Sequence, residues 1–181
     1  WHLGLEASTG PAARGFERSF ALLDGGAGAF DNMLPLIGPG KANYREDGEL
    51  LEALPEGFYS SRFYSEQMRR YIESGLGDDR PFFAYLAYTA PHWPLQAPAE
   101  AVARYRGHYD GGYDAVRAAR LRARDGLGLS DSALGAFPRL AGEPSWDSLT
   151  PAQQQLEARR MEIYAAMISD VDRYLGELLS W

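Results

Sequence analysis

Hydrophobic positions follow a clear period in three stretches of the chain. From Ser60 to Ser74, Phe63, Tyr64, Met68, Tyr71 and Ile72 recur at the three-to-four spacing of one helical face. Ser60 or Ser61 is placed to cap that helix, and Gly75 or Gly77 to end it in a left-handed turn. From Pro81 to Thr89 the chain reads PFFAYLAYT and carries no charge. So short an apolar run, rich in Phe and Tyr, predicts a strand over 81–88 that is buried on both faces. A helix feeding such a strand through a short polar turn is one αβ half of a parallel sheet. The third stretch begins at Thr150-Pro151-Ala152-Gln153, a capping residue, a proline at the first helical position and a Gln three residues after the cap. Leu156, Ile163, Tyr164, Met167, Ile168, Val171, Leu175, Leu178 and Leu179 then follow at helical spacing, which predicts a long helix laid against the sheet.

The remaining segments carry weaker patterns. Residues 1–57 are crowded with turn formers, Gly25, Gly26 and Gly28 and then Pro35, Gly38, Pro39 and Gly40. Phe16, Phe20 and Phe30 argue that this long loop region is packed. A short strand is expected near Ser19–Leu22 and a hairpin at Ala42–Leu54. Beyond the apolar run, Ala99–Tyr105 and Tyr113–Arg124 read as short helices, the second ending at Gly126. Five arginines lie between Arg104 and Arg122, and Arg124 follows. Such a run is either an anion-binding surface or, more commonly, a solvated helix face. Gly126–Ser148 reads as a connection anchored by Phe137 and Trp146.

Composition adds bounds. The chain has 181 residues, 45% hydrophobic and 24% charged, as in an ordinary globular protein. A net charge of −7 argues against nucleic acid as a partner. There is no cysteine, which excludes disulfides and thiolate metal sites and leaves the redox compartment unread. No apolar run is long enough for a membrane span, and no signal peptide is visible.

The candidate chemistry gathers in the loop after the apolar run, where Pro91, Pro94 and Pro98 punctuate a segment holding His92 and Trp93. Open α/β sheets bind ligands beyond the carboxyl ends of their strands, so a histidine one step past a buried strand is where such a fold puts chemistry. The plainer alternative is a loop histidine packed on Trp93. His2 and His108 complete the set of three histidines. Their spacing matches no short metal motif, and neither G-x-S-x-G nor G-x-x-x-x-G-K-[ST] occurs.

PFFAYLAYTAPHWPLQAP, Pro81 to Pro98, resembles the central signature of the arylsulfatases in the alkaline-phosphatase-like superfamily. Trp1-His2-Leu3-Gly4 resembles the end of that family's G-K-W-H-L-G motif. Ala13–Gly28, Leu54–Ser61 and Met161–Leu179 also read like the middle of a bacterial arylsulfatase. The resemblance implies an α/β sandwich with a mixed, mostly parallel sheet flanked by helices. It implies that residues 1–181 are the central part of a sulfatase catalytic domain whose partner is the rest of that domain. The implied activity is hydrolysis of small-molecule sulfate esters by a formylglycine hydrate beside a divalent cation, usually calcium. His92 is then the group that contacts the sulfate and protonates the leaving oxygen, with Trp93 beside it at the substrate. His2 takes a proton from the sulfated hydrate so that sulfate leaves. Both rings should face one pocket, His2 from a neighbouring strand end, within about 8–10 Å of each other.

The departures from the family pattern are as definite. No [CS]-x-P-x-R occurs; the nearest stretch, Thr9-Gly10-Pro11-Ala12-Ala13, lacks the nucleophile type and the arginine. Asp31-Asn32-Met33 is not the family's metal-binding D-N-G segment. No metal ligand is therefore assigned in this chain, and calcium and formylglycine are expected from outside it. The chain alone is expected to be inactive. A phosphoester or phosphonate hydrolase on the same fold and a non-catalytic binding module are the alternatives.

Overall fold

The computed structural model describes residues 1–77, 80–129, 138, 140 and 142–181. The chain starts with two single-turn helices, Ala7–Thr9 and Ala12–Arg14. A small sheet follows, β1 (Phe20–Leu22), β2 (Tyr44–Glu46) and β3 (Glu49–Leu50), in the order β1-β2-β3 with both pairings antiparallel. Asp47 and Gly48 join β2 to β3 with φ of 50° and 93°, the paired positive φ of a tight hairpin turn. Asp47 also accepts a hydrogen bond from Ser19 N at 2.7 Å, tying that turn to the entrance of β1. The expected strand and hairpin are thus both present.

Among the described residues four α-helices follow, α1 (Ser60–Gly75), α2 (Ala99–Ala103), α3 (Gly112–Gly126) and α4 (Pro151–Ser180), with a single 3-10 turn at Trp146–Ser148 before the last. In α4 Thr150 Oγ1 accepts from Gln153 N while Gln153 Oε1 accepts from Thr150 N, the reciprocal box read from the sequence. The caps expected for α1 differ. Tyr59 stands at its N-terminus without a side-chain bond, Ser60 and Ser61 are buried inside its first turn, and Leu76 ends it in right-handed conformation. Trp146 anchors the segment before α4, its ring edge-on to Tyr113 at 5.4 Å and lying against Gly112, which has φ +83°. Phe137 lies outside the described residues.

The main core packs β1, β2 and the start of α1. Leu22, Met33, Tyr44, Leu54, Phe58 and Tyr64 are buried, with Phe20 and Phe63 against them at 4.7 Å between ring centroids. Each such side chain contributes roughly 1.5–3 kcal/mol by leaving water. A second, smaller core joins α2 to α4 through Ala101, Val102 and Ala166. There Asp170, buried on α4, accepts from Arg104 Nη2 at 2.8 Å. So among the described residues α4 packs chiefly on α1, α2 and α3 rather than on the small sheet.

The largest correction concerns Pro81–Thr89. It is extended, yet among the described residues it pairs with no strand, and no parallel pairing occurs. Phe82, Phe83 and Tyr85 are 68%, 79% and 57% exposed. Only Leu86 and Tyr88 reach the core. A strand's backbone groups point sideways, so the run's own residues cannot complete a sheet without neighbours on either edge. A groove of about 820 Å³ runs beside it, walled by β1, α1 and the segment itself.

Candidate active site

His92 sits in the turn that ends the extended segment, where its backbone N–H donates to Thr89 O at 3.0 Å. Its Nδ1 lies 2.6 Å from the carbonyl oxygen of Trp93. A carbonyl only accepts, so Nδ1 carries the proton in that bond and Nε2 is left for chemistry. The indole of Trp93, 58% exposed, lies 5.2 Å from the imidazole and tilted 32° to it. Beneath the loop a cavity of about 10 Å³ is enclosed by Tyr59, Ser61, Thr89, Gln96 and Met167 among others. That space holds one water-sized body at most, so a substrate must approach from the open side. Burial holds the Tyr59 phenol well above its usual range, against an opposing interaction with Ser61.

His2 lies in the loop before the first helical turn and not at a strand end. Trp1 fixes its approach: the indole Nε1 donates to Thr9 O at 3.0 Å, and the ring packs edge-on against Phe16 and Tyr85. Gly4, at φ +135°, lets the chain turn against Thr9, where a Cβ would come within 2.1 Å of Oγ1. Leu3, on the other side of His2 in the sequence, is 57% exposed.

The two imidazoles border consecutive residues of one turn. A Cβ placed on Gly25 would lie 2.6 Å from His2 Nε2, and one on Gly26 would lie 3.9 Å from His92 Nδ1. Consecutive Cα atoms are about 3.8 Å apart, so these ring atoms lie within roughly 13 Å of each other. Two hydrogen bonds hold the turn: Asn43 N donates to Asp24 Oδ2 and Ala29 N to Gln96 Oε1, each at 2.7 Å. The sequence reading marked the glycines only as a loop and passed over Gln96. The glycine cluster was the available signal, but nothing local says that residues 23 and 66 positions away approach it.

Other candidates fall elsewhere. His108 is 5.8 Å from the Tyr105 ring, in the turn after α2. Of the arginine run, Arg104 binds buried Asp170 and Arg124 pairs with Asp125, while Arg120 and Arg122 lie on the exposed face of α3. Phe30 stacks on Tyr59, and Tyr88 turns inward to Ser65. Among the described residues no three His, Asp or Glu side chains gather to hold a cation. Asp24, the carboxylate nearest the imidazoles in sequence to Gly25, is committed to Asn43 N. Thr9 Oγ1 is likewise committed, accepting from Glu6 N and donating to Glu6 O. The residues present therefore do not fit a calcium site or a formylglycine position. No described helix is long and apolar enough to cross a membrane.

An arylsulfatase of Klebsiella aerogenes is 40% identical over 99% of this chain, and an uncharacterised sulfatase of Schizosaccharomyces pombe is 38% identical over all of it. The chain spans 38% and 34% of those two relatives. The crystal structure of Ps i-CgsB in complex with k-i-k-neocarrahexaose superposes with a TM-score of 0.59 at 22% identity, over 99% of this chain and 31% of that one, a likeness of fold. The sequence profile of the sulfatases matches residues 1–181 from end to end, and the chain belongs to the sulfatase family.

Proposed function

We propose that this chain is the histidine-bearing central part of the catalytic domain of a sulfuric ester hydrolase acting on small sulfate esters such as aryl sulfates. The observation that carries the reading is the meeting of His2 and His92 at Gly25-Gly26. The relationship to an arylsulfatase supports the substrate class. The open edges of Pro81–Thr89 and the span of about a third of each relative support the idea that further strands belong beside it. On this reading the nucleophile and any cation come from outside these residues, because neither a [CS]-x-P-x-R motif nor a D-N-G segment occurs in them.

What the chain contributes is proton handling and a surface. When the S–O bond of the ester breaks, the electron pair stays on the leaving oxygen, which needs a proton if the alcohol is a poor leaving group. His92 supplies it from Nε2–H as the imidazolium and is left as the neutral ring, whose remaining proton stays on Nδ1 against the Trp93 carbonyl. Trp93 offers a flat apolar face beside that nitrogen for an aromatic leaving group. His2 lies beside the neighbouring glycine, Gly25, and accepts a proton in the step that frees sulfate.

The test uses the full-length protein and a series of aryl sulfates. His92→Ala should lower the rate about 10²–10⁴-fold, with the largest loss on the poorest leaving groups. Unchanged rates in His92→Ala sink the assignment. The same leaving groups as phosphate esters should turn over far more slowly, and a preference for phosphate would point to the related phosphoester chemistry instead.

A further inference from the structure

The stretch from Asp24 to Ala29 has both imidazoles beside it and, at Gly25 and Gly26, presents no side chain to them. A Cβ on Gly25 would stand 2.6 Å from His2 Nε2 and 3.1 Å from its Cδ2, both inside contact distance. Gly25 also has φ +77°. A Cβ on Gly26 would be 3.9 Å from His92 Nδ1 but 2.4 Å from Leu36 Cδ1, so that position is closed by the packing of Leu36. The start of the turn is fastened by Asp24 to Asn43 N at the head of β2, part of the main core's sheet. Its far end is fastened by Gln96, which stands on the same loop as His92. The turn therefore touches one imidazole through bare backbone and holds the loop of the other through a partly buried hydrogen bond to a side-chain amide.

We propose that Asp24–Ala29 is a spacer that sets the gap between the imidazoles, with Gly25 positioning His2 and Gln96 positioning His92. The proposal rests on the reading that both rings serve one tetrahedral sulfonyl group. Hydrogen bonds act over about 2.7–3.2 Å, so two donors on one anion tolerate only a few tenths of an ångström of error in their separation. A side chain at Gly25 has one easy way out. His2 is exposed and makes no hydrogen bond among the described residues, so its ring moves and the packed turn stays. The cost then falls on the reaction more than on the fold.

In the full-length protein Gly25→Ala should lower kcat on a chromogenic aryl sulfate by about 10²-fold with KM little changed, as expected for a catalytic group displaced by about 1 Å. Gly25→Asn separates spacing from backbone strain, because Asn accepts positive φ yet keeps the Cβ; it should lose as much as Gly25→Ala. In a His2→Ala background Gly25→Ala should cost less than about twofold. Recovery in Gly25→Asn, or an equal loss in both backgrounds, overturns the spacer. If His2→Ala alone leaves kcat unchanged, the two-imidazole reading fails first, and that result is separate from any behaviour of Gly25. Should Gly25→Ala not fold, Gln96 carries the test. Gln96→Leu should steepen the dependence of rate on leaving-group pKa, and Gln96→Glu, which keeps an oxygen to accept from Ala29 N, should restore it. Equal steepening in Gln96→Leu and Gln96→Glu overturns the proposal.

Discussion

Helix α4 and the extended run Pro81–Thr89 carry equally plain hydrophobic patterns, and they end differently. α4 runs for 30 residues and meets its own hydrogen-bonding needs, first through the Thr150–Gln153 box and then turn by turn. Part of its apolar stripe, around Ile163, Ala166 and Met167, is buried within the same chain, while Leu156, Ile168, Leu175 and Leu179 stay exposed. Pro81–Thr89 has the stronger apolar content, yet its backbone pairs with no strand among the described residues. Leu86 and Tyr88 are drawn to the core, and Phe82, Phe83 and Tyr85 stay largely in solvent. A hydrophobic pattern says which faces seek burial. A helix can act on that alone, whereas a strand waits for its neighbours.

The largest expected contrast is in amide exchange of this 181-residue chain. Amides in the middle of α4, around Glu162 to Val171, should exchange about 10³-fold or more slower than those of Phe82 to Tyr88, which should run close to the unprotected rate. Comparable protection in both stretches, read by mass spectrometry, would show that the run finds a partner within the chain. Side-chain truncation should follow the same division. Phe58→Ala, at 2% exposure in the main core, should cost about 3–5 kcal/mol in urea unfolding. Phe83→Ala, at 79% exposure, should stay within about 0.5 kcal/mol. A large loss from Phe83→Ala in the chain by itself would contradict the open edge.

The same contrast explains how much of the molecule was legible in the sequence. The β2–β3 hairpin, α1, α3 and α4 are local objects, and their patterns named them to within a few residues. The parallel sheet was read from Pro81–Thr89 because its composition is that of a buried central strand; pairing is a property of at least two segments, and one segment cannot reveal it. The site divides in the same way. His2 and His92 were visible through the motifs around them. The glycine turn between them was not, since it joins residues far apart in sequence through backbone that carries no side chain. Gln96 looked like part of a polar loop, and the Arg104–Asp170 pair was hidden in an arginine run and a helical stripe.

That pair offers a sharper test of the helical side. Asp170 is 2% exposed while the Arg104 side chain is about half exposed. Arg104→Ala strands a buried carboxylate and should cost about 3 kcal/mol. Asp170→Ala leaves an arginine that can return to water, so it should cost less. The reverse order in thermal or urea unfolding would mean that the pair does not hold α2 to α4. At the end of α4, Thr150→Ala should cost about 1 kcal/mol through loss of the cap, and no change there would remove the box from the account of why this helix stands alone.

The smallest expected effect is a pH dependence, and it too belongs to α4. Glu162 is 6% exposed and accepts from Gly107 N and from Arg159 Nη1, each at 2.8 Å. Burial alone would raise its pKa, but the bonds from Arg159 and Gly107 and the charges of Arg159 and Arg106 prevail, and the carboxyl sits below its ordinary value. The folded pKa is therefore lower than the unfolded one, and the unfolded chain binds more protons as pH falls. Glu162 contributes its full stability above the unfolded value of about 4.3, and that contribution is lost as pH falls through the folded pKa. Glu162→Gln keeps an oxygen for Gly107 N and removes the charge. Its melting temperature should lie below that of the natural chain at about pH 7, and the gap should close as pH falls through about 4. Parallel melting curves across that range would mean that the carboxylate's charge adds nothing to the joint between α4 and the turn after α2.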